Sequence, residues 1–89
     1  MFYKKGANMK FFDLDVVKPL VVKENVPVGT VGTVICVFTR PNEAYMVEFC
    51  GERGIPYAEP AYLPEELELV DRPLGYYLDN PDLVPELYA

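Results

Sequence analysis

The sequence contains no histidine, no serine, no glutamine and no tryptophan, and only two of its 89 residues are cysteines. Without histidine or serine, the chain cannot assemble a Ser-His-Asp triad or a Cys–His dyad of its own. Two cysteines without histidine also fall short of the roughly four ligands that a structural zinc site requires. We therefore expect a protein that is not an enzyme and that carries neither a metal nor a cofactor.

Long apolar runs are missing as well. No stretch approaches the roughly 20 apolar residues that cross a bilayer, and residues 1–8 are too short and polar for an export signal. Cys36 and Cys50 fall on the two arms of a predicted hairpin, with Cys36 opposite roughly residues 46–48 and Cys50 opposite roughly residues 32–34. These offsets exceed the Cα separation of about 7 Å allowed for a disulfide. Free thiols are typical of a reducing compartment, so we expect a cytoplasmic protein that does not bind membranes.

Basic residues are scarce after the first 24 positions. Residues 1–24 carry five lysines against three acids, whereas residues 25–89 carry three arginines against eleven acids, and the whole chain has a net charge of −6. Phosphate backbones are bound mainly by Lys and Arg, so a field of this sign repels nucleic acid and attracts a basic protein. Solubility alone also explains an acidic surface, and that explanation needs no partner.

The alternation of apolar and polar residues predicts a chain of short strands. A chain of this length with 51% hydrophobic residues supports one small domain. Five segments have the alternating or β-branched composition of strands, namely residues 11–22, 30–38, 44–50, 55–62 and 68–70. Turn residues separate them, and residues 63–67, with Pro64 early, predict a single helical turn before the last strand. The prediction is an all-β fold, a small five-stranded barrel whose closure removes exposed edges.

The first predicted strand carries an irregularity. Pro19 cannot donate to a ladder, so this strand is predicted to lie at an edge or to contain a bulge there. The alternation groups one apolar set on a single face, Leu14, Val16, Leu20 and Val22. The opposite face takes Val17 and Val21 together with the charged residues Asp13, Asp15 and Lys23.

Two other features predict packing in more detail. Gly29 and Gly32 frame the entry to the second strand, where glycine supplies a positive φ or lets two segments approach closely. In the third strand Tyr45, Val47 and Phe49 alternate with more polar residues and are predicted to point inward.

The chain divides by composition into three parts. Residues 1–8 read as a leader from an upstream start, because Met9 opens the first well-patterned segment. Residues 9–70 form the predicted barrel, and residues 71–89 form an extension rich in proline and tyrosine. An extension with so many apolar side chains is expected to pack on the barrel or on another chain.

The segment from Met9 to about Leu69 resembles a family of short bacterial proteins of unassigned function with an SH3-like barrel. The residues that carry the resemblance are Leu14-Asp15-Val16-Val17, Gly29-x-x-Gly32-Thr33-Val34-Ile35-x-Val37, Tyr45-x-Val47-Glu48-Phe49 and Leu63-Pro64-x-x-x-Leu67. Some members are encoded beside toxin-like genes, so the resemblance implies an antitoxin or immunity role. The glycine turn is also similar to that of KOW modules and of SH3-like accessory subunits of photosynthetic and redox enzymes. A shared barrel carries no function by itself.

Acids and tyrosines interleave in the second half of the chain, from Tyr57 and Glu59 to Glu86 and Tyr88. Tyrosine supplies a large contact area at low entropic cost, and carboxylates around it suit a basic partner. The residues predicted to bind that partner are Tyr57, Tyr62, Glu65, Glu66, Tyr76, Tyr77, Asp79, Asp82 and Tyr88. The alternative is that Tyr62, Tyr76 and Tyr77 cover the ends of the barrel core.

Three functions therefore stay open. The first is a non-catalytic module that binds another protein, such as an antitoxin or immunity protein that neutralises a basic partner. The second is an accessory SH3-like subunit of a larger enzyme or redox complex. A KOW-like nucleic-acid binder is disfavoured by the charge, and a homodimer through the C-terminal extension is a further expectation.

Overall fold

Alternating apolar residues and turn residues divide the chain into short strands that pair as one antiparallel sheet. The computed structural model describes residues 9–73, and the predicted leader and residues 74–89 of the extension lie outside them. The strands are β1 (Val16–Pro19), β2 (Gly32–Phe38), β3 (Ala44–Cys50), β4 (Pro56–Ala58), β5 (Ala61–Tyr62) and β6 (Leu67–Asp71). Their order is β4-β3-β2-β1-β6, and β5 also pairs with β3. The prediction of an all-β fold is confirmed, and the sheet is compatible with a small barrel.

The predicted fourth strand is present as two short strands along the same edge of β3. β4 pairs with the end of β3 and β5 with its beginning. Pro60 between them has no N–H to donate, but its carbonyl accepts the Val47 N–H at 3.0 Å. The described residues therefore contain six short strands where five were predicted. A 3₁₀ turn at Pro64–Glu66 precedes β6, as predicted, and a second one covers Glu52–Gly54.

The first predicted strand is wrong in its length and in its buried face. Asp15 N–H donates to the Phe12 carbonyl at 3.1 Å, and Leu14 has a φ of 73°, so a turn replaces the first part of the strand. β1 begins only at Val16, and the core takes Val17 and Pro19. Leu20 and Val22, grouped on the apolar face, are 47% and 64% exposed. A local turn thus overrides an alternation that looked continuous.

The bulge expected in β1 lies two residues before the proline. The register between β1 and β6 shifts between Val16 and Val17, and β1 lies between β2 and β6 rather than at an edge. Pro19 is the last residue of the strand, where a missing donor is tolerated. Its carbonyl accepts the Gly29 N–H at 2.9 Å, which holds the following loop against the sheet.

The two glycines at the entry to β2 serve different purposes, and both were predicted. Gly29 has a φ of +87°, a conformation that side chains disfavour. At Gly32 a Cβ atom would lie 2.6 Å from the Phe49 ring and 2.7 Å from the Val47 side chain, so only glycine leaves room for these two core side chains. Gly29 therefore serves the turn, and Gly32 serves the packing.

The core forms between the inner faces of the strands and two loop residues. Tyr45, Val47 and Phe49 of β3 are fully buried, as predicted. The buried hydrophobic residues are Phe11, Val17, Val26, Val34, Tyr45, Val47, Phe49, Tyr62 and Leu67. None of the helical turns within residues 9–73 is long and apolar enough to cross a membrane.

Both cysteines are free thiols, as expected. Cys36 pairs with Met46, at the start of the predicted range. Cys50 was expected opposite the beginning of β2, but Thr33 already pairs with Glu48, so Cys50 lies beyond that strand and pairs with Pro56 of β4.

Candidate functional site

An open groove runs beside β4 and combines two carboxylates with an aromatic ring. Its volume is about 320 Å³, and its lining residues are Glu24, Pro56, Tyr57, Ala58 and Glu59. We call it the β4 groove. Three of its residues belong to β4, Glu59 follows that strand, and Glu24 comes from the loop between β1 and β2.

A tight turn positions Glu24. Val26 N–H donates to the Lys23 carbonyl at 2.8 Å, and the two residues between them, Glu24 and Asn25, have φ values of 49° and 65°. This left-handed region is tolerated by asparagine but strained for glutamate. Lys23 anchors the turn, because its Nζ lies 2.9 Å from Glu66 Oε1 and donates to the Ala61 carbonyl at 3.0 Å.

Tyr57 belongs to β4, a strand at the edge of the described sheet, and Glu59 follows that strand. The Tyr57 side chain is 56% exposed, and its ring lies over Gly51, where a Cβ atom would be 3.8 Å away. Pro56 and Pro60 interrupt the N–H groups of this edge, which discourages pairing with a further strand. The exposed face of the ring is therefore available to a side chain rather than to a β-strand.

Tyr62 was predicted on the partner-binding surface, but its ring lies in the core and is 1% exposed. It packs edge to face on Phe49, with ring centroids 6.3 Å apart. Its hydroxyl is buried and has no hydrogen-bond partner among residues 9–73. Burial, followed by the charges of Glu24 and Glu66 and by Tyr57, raises the pKa of Tyr62, so the hydroxyl stays protonated.

The other predicted residues are distributed unevenly. Glu66 accepts the Leu63 N–H at 2.9 Å and pairs with Lys23, and these contacts lower the pKa of Glu66. This carboxylate is therefore engaged within the fold, whereas Glu65 is exposed in the same turn. The remaining predicted residues lie outside the described part of the chain, namely Tyr76, Tyr77, Asp79, Asp82 and Tyr88.

Sequence reasoning missed a buried ion pair at the other end of the sheet. Arg72 Nε donates to Asp15 Oδ1 at 2.8 Å and its Nη2 to Asp15 Oδ2 at 2.5 Å, a bidentate pair. Asp15 is fully buried and Arg72 is 6% exposed. The guanidinium also lies 5.2 Å from the centre of the Phe12 ring. The sequence signal for the burial of Asp15 was that it alternates with Val17 and Pro19, which places the three residues on the same face.

A second polar cluster lies near this pair. The Tyr45 hydroxyl accepts the N–H groups of Lys10 and Phe11 at 3.1 and 3.2 Å and donates to Glu43. Burial, and then the hydrogen bond to Glu43, raise the pKa of Tyr45. All these polar atoms have partners, so the cluster supports the fold and offers no open position for a ligand.

No group of three acids or cysteines within residues 9–73 is placed to hold a metal ion. Partial burial, followed by Glu48 and Glu59, raises the pKa of the exposed Cys50 thiol, which makes it a poorer nucleophile. The β4 groove combines the aromatic ring of Tyr57 with the carboxylates of Glu24 and Glu59.

Comparison with known proteins identifies a family but no characterised relative. No curated protein and no solved structure matches the chain. The family model described as a domain of unknown function (DUF4926) matches residues 14–69, more than half of the chain. The matched segment runs from the turn before β1 into β6 and contains every residue of the β4 groove. The chain therefore belongs to this family of domains of unknown function (DUF4926).

Proposed function

We propose that the protein is a non-catalytic module that binds a basic segment of another protein through the β4 groove. The observation that carries the proposal is that the half-exposed Tyr57 ring lines the same groove as Glu24 and Glu59. Cations are attracted to the face of an aromatic ring, and carboxylates beside the ring strengthen that attraction. A lysine- or arginine-bearing segment is the ligand that satisfies both.

The charge of the whole chain supports the same class of partner. A net charge of −6 attracts basic proteins over a distance and speeds their association, and it repels the phosphates of nucleic acid. A cytoplasmic protein that neutralises a basic partner, as an antitoxin or immunity protein does, is the specific form of this function that we favour. The module needs no catalytic group for this role, because binding alone blocks the partner.

The test uses the full chain and a short peptide of alternating arginine, lysine and glycine. We expect the peptide to bind, and to bind more weakly as salt screens the charges. Glu24→Gln together with Glu59→Gln should weaken binding by about five-fold. Asp13→Asn removes an exposed charge that does not line the β4 groove, and it should change the affinity for the peptide by less than about two-fold. Absence of binding, or equal losses in both variants, would refute the proposal.

A second candidate is an accessory subunit that docks through the other edge of the described sheet. Leu69 and Val70 of β6 and the nearby Leu20 are 38%, 48% and 47% exposed. They lie at or beside a groove of about 360 Å³ whose floor includes the core residues Phe11 and Leu67. Apolar docking at this edge would persist at high salt, so the salt dependence of partner binding separates the two functions.

A further inference from the structure

We propose that the start of the C-terminal extension, residues 74–78, folds back over the apolar groove beside β6 and covers it. This groove of about 360 Å³ is the one that the accessory-subunit candidate would use, and we call it the β6 groove. The proposal does not rest on the β4 groove or on the partner proposed for it. It gives the β6 groove an occupant from the same chain.

The β6 groove suits an apolar occupant. Phe11 and Leu67 belong to the core and also line the groove, where they are joined by Leu20 and Leu69. The two latter side chains are 47% and 38% exposed. Apolar surface that is both concave and partly exposed marks a site at which another segment packs.

The charged residues that line the β6 groove are already engaged within the fold. Lys10 Nζ donates to the Pro64 carbonyl at 3.2 Å, and Glu68 Oε1 lies 3.8 Å from Lys18 Nζ. The Arg72 guanidinium belongs to the buried ion pair. The groove therefore asks for apolar side chains rather than for a charged ligand.

The position of β6 in the sheet also calls for a cover. β6 ends the order β4-β3-β2-β1-β6, so among residues 9–73 a strand lies beside it on one side only. Proteins protect such edges with a loop or a helix, because an apolar edge strand promotes aggregation. Whatever covers this edge comes from outside the described residues.

The chain leaves the described region at the groove itself. Pro73 is its last residue and directly follows Arg72, which lines the groove. The run Arg72-Pro73-Leu74-Gly75 has proline at the second position and glycine at the fourth, which is the preference of a type I turn. The sequence thus predicts a reversal here, followed by Tyr-Tyr-Leu at positions 76–78. Three extended residues span about 10 Å, enough to run from Arg72 back to Leu69.

The tether favours this segment over any other occupant. A short linker gives an attached segment an effective concentration in the millimolar range, which a second copy or a separate partner does not reach at ordinary protein concentrations. Tyrosine and leucine supply a large apolar contact area. The chain thereby occupies the apolar edge that an accessory subunit would need.

The test is NMR spectroscopy of the isotope-labelled full chain. We expect nuclear Overhauser contacts from the methyl groups of Leu20 and Leu69 to the side chains of residues 76–78. Backbone order parameters of these three residues should be about 0.85, the value of rigid backbone. Leu69→Lys, which places a charge in the groove, should abolish the contacts and lower the order parameters below about 0.6. Ile35→Lys is the matched control, since Ile35 of β2 is also 38% exposed but does not line the groove.

Three results would overturn the proposal. The first is an unchanged chain that shows no such contacts and has low order parameters at residues 76–78, and this result decides the matter even if Leu69→Lys fails to fold. The second is an equal loss in Leu69→Lys and Ile35→Lys. The third is contacts that arise between labelled and unlabelled chains in a mixed sample, which would assign the groove to a second copy. Binding of the mixed basic peptide tests the proposed function separately and is untouched by any of them.

Discussion

Tyr45 and Tyr62 pair with each other across β3 and β5, and both side chains are buried, but their hydroxyls differ in hydrogen bonding. The Tyr45 hydroxyl is surrounded by backbone N–H groups and Glu43, close to the segment that the Asp15–Arg72 pair ties to the end of β6. The Tyr62 hydroxyl is buried and has no hydrogen-bond partner among residues 9–73. The Tyr45 cluster and the adjoining Asp15–Arg72 pair thus form an end of the described domain that is closed by its own polar contacts, whereas the Tyr62 hydroxyl has no such contacts. The difference teaches that burying a tyrosine ring and satisfying its hydroxyl are separate matters in this core.

Opening the closed end should produce the largest effect. Asp15→Asn leaves the buried Arg72 guanidinium without the Asp15 carboxylate, and we expect the free energy of unfolding to fall by about 3–5 kcal/mol. Urea denaturation followed by circular dichroism measures the loss. Asp13→Asn, exposed in the same turn, is the matched control and should cost less than about 0.5 kcal/mol. Similar losses in the two variants would show that the ion pair does not hold this end closed.

Removing each tyrosine hydroxyl in turn tests the difference between Tyr45 and Tyr62 directly. Tyr45→Phe deprives the buried Phe11 N–H of its acceptor and should cost about 1–3 kcal/mol, whereas the Lys10 N–H and Glu43 keep the hydrogen bond between them. Tyr62→Phe removes a group that bonds to nothing within residues 9–73, so stability should stay constant or rise by up to about 1 kcal/mol. The urea midpoints of the two variants decide the matter, and equal destabilisation would contradict the contrast.

The strained turn at Glu24 offers a smaller and opposite effect at the groove. Glu24→Asn places a residue that tolerates φ of 49° and should stabilise the fold by about 0.5–1 kcal/mol. It also removes a carboxylate, so binding of the mixed basic peptide should weaken by about two-fold. Glu24→Gln is the control, because it loses the charge but keeps the strain. A gain in stability from Glu24→Gln equal to that from Glu24→Asn would argue against backbone strain.

The smallest effect concerns the acid side of the stability curve. Contacts with the Leu63 N–H and Lys23 lower the pKa of Glu66 in the folded state. Its contribution is therefore present above the unfolded pKa and is lost as the pH falls through the lower folded pKa. Glu66→Gln should reduce the loss of unfolding free energy between neutral and acid pH by less than about 1 kcal/mol, as measured by urea denaturation across this range. The exposed neighbour Glu65 provides the control, since Glu65→Gln should leave the curve unchanged.

Features set by local pattern could be predicted from the sequence. The alternation in β3 located its strand and its three buried residues, and the glycine pair located a turn and a close approach. The first segment could not be predicted in the same way. The burial of Asp15 depends on Arg72, 57 positions away, and the left-handed Leu14 depends on the turn that this pair supports.

The candidate site shows the same limit. Tyr57 followed from the interleaving of acids and tyrosines, since that signal lies within one stretch of sequence. Glu24 lies in a loop with no signal of its own and joins Tyr57 only through the folded sheet. Tyr62 belongs to the same stretch as Tyr57, but its side chain is buried in the core whereas that of Tyr57 is exposed. Composition alone could not separate the two.

The ion pair also bears on where the domain should be cut. The segment shared with the family ends before Arg72 but includes Asp15. A fragment trimmed to that segment would keep the buried Asp15 carboxylate and discard the guanidinium that pairs with it. Fragments and fusions intended for biophysical work should therefore begin before Lys10 and continue beyond Arg72, so that both partners of the ion pair and the Lys10 carbonyl that Arg72 contacts are kept.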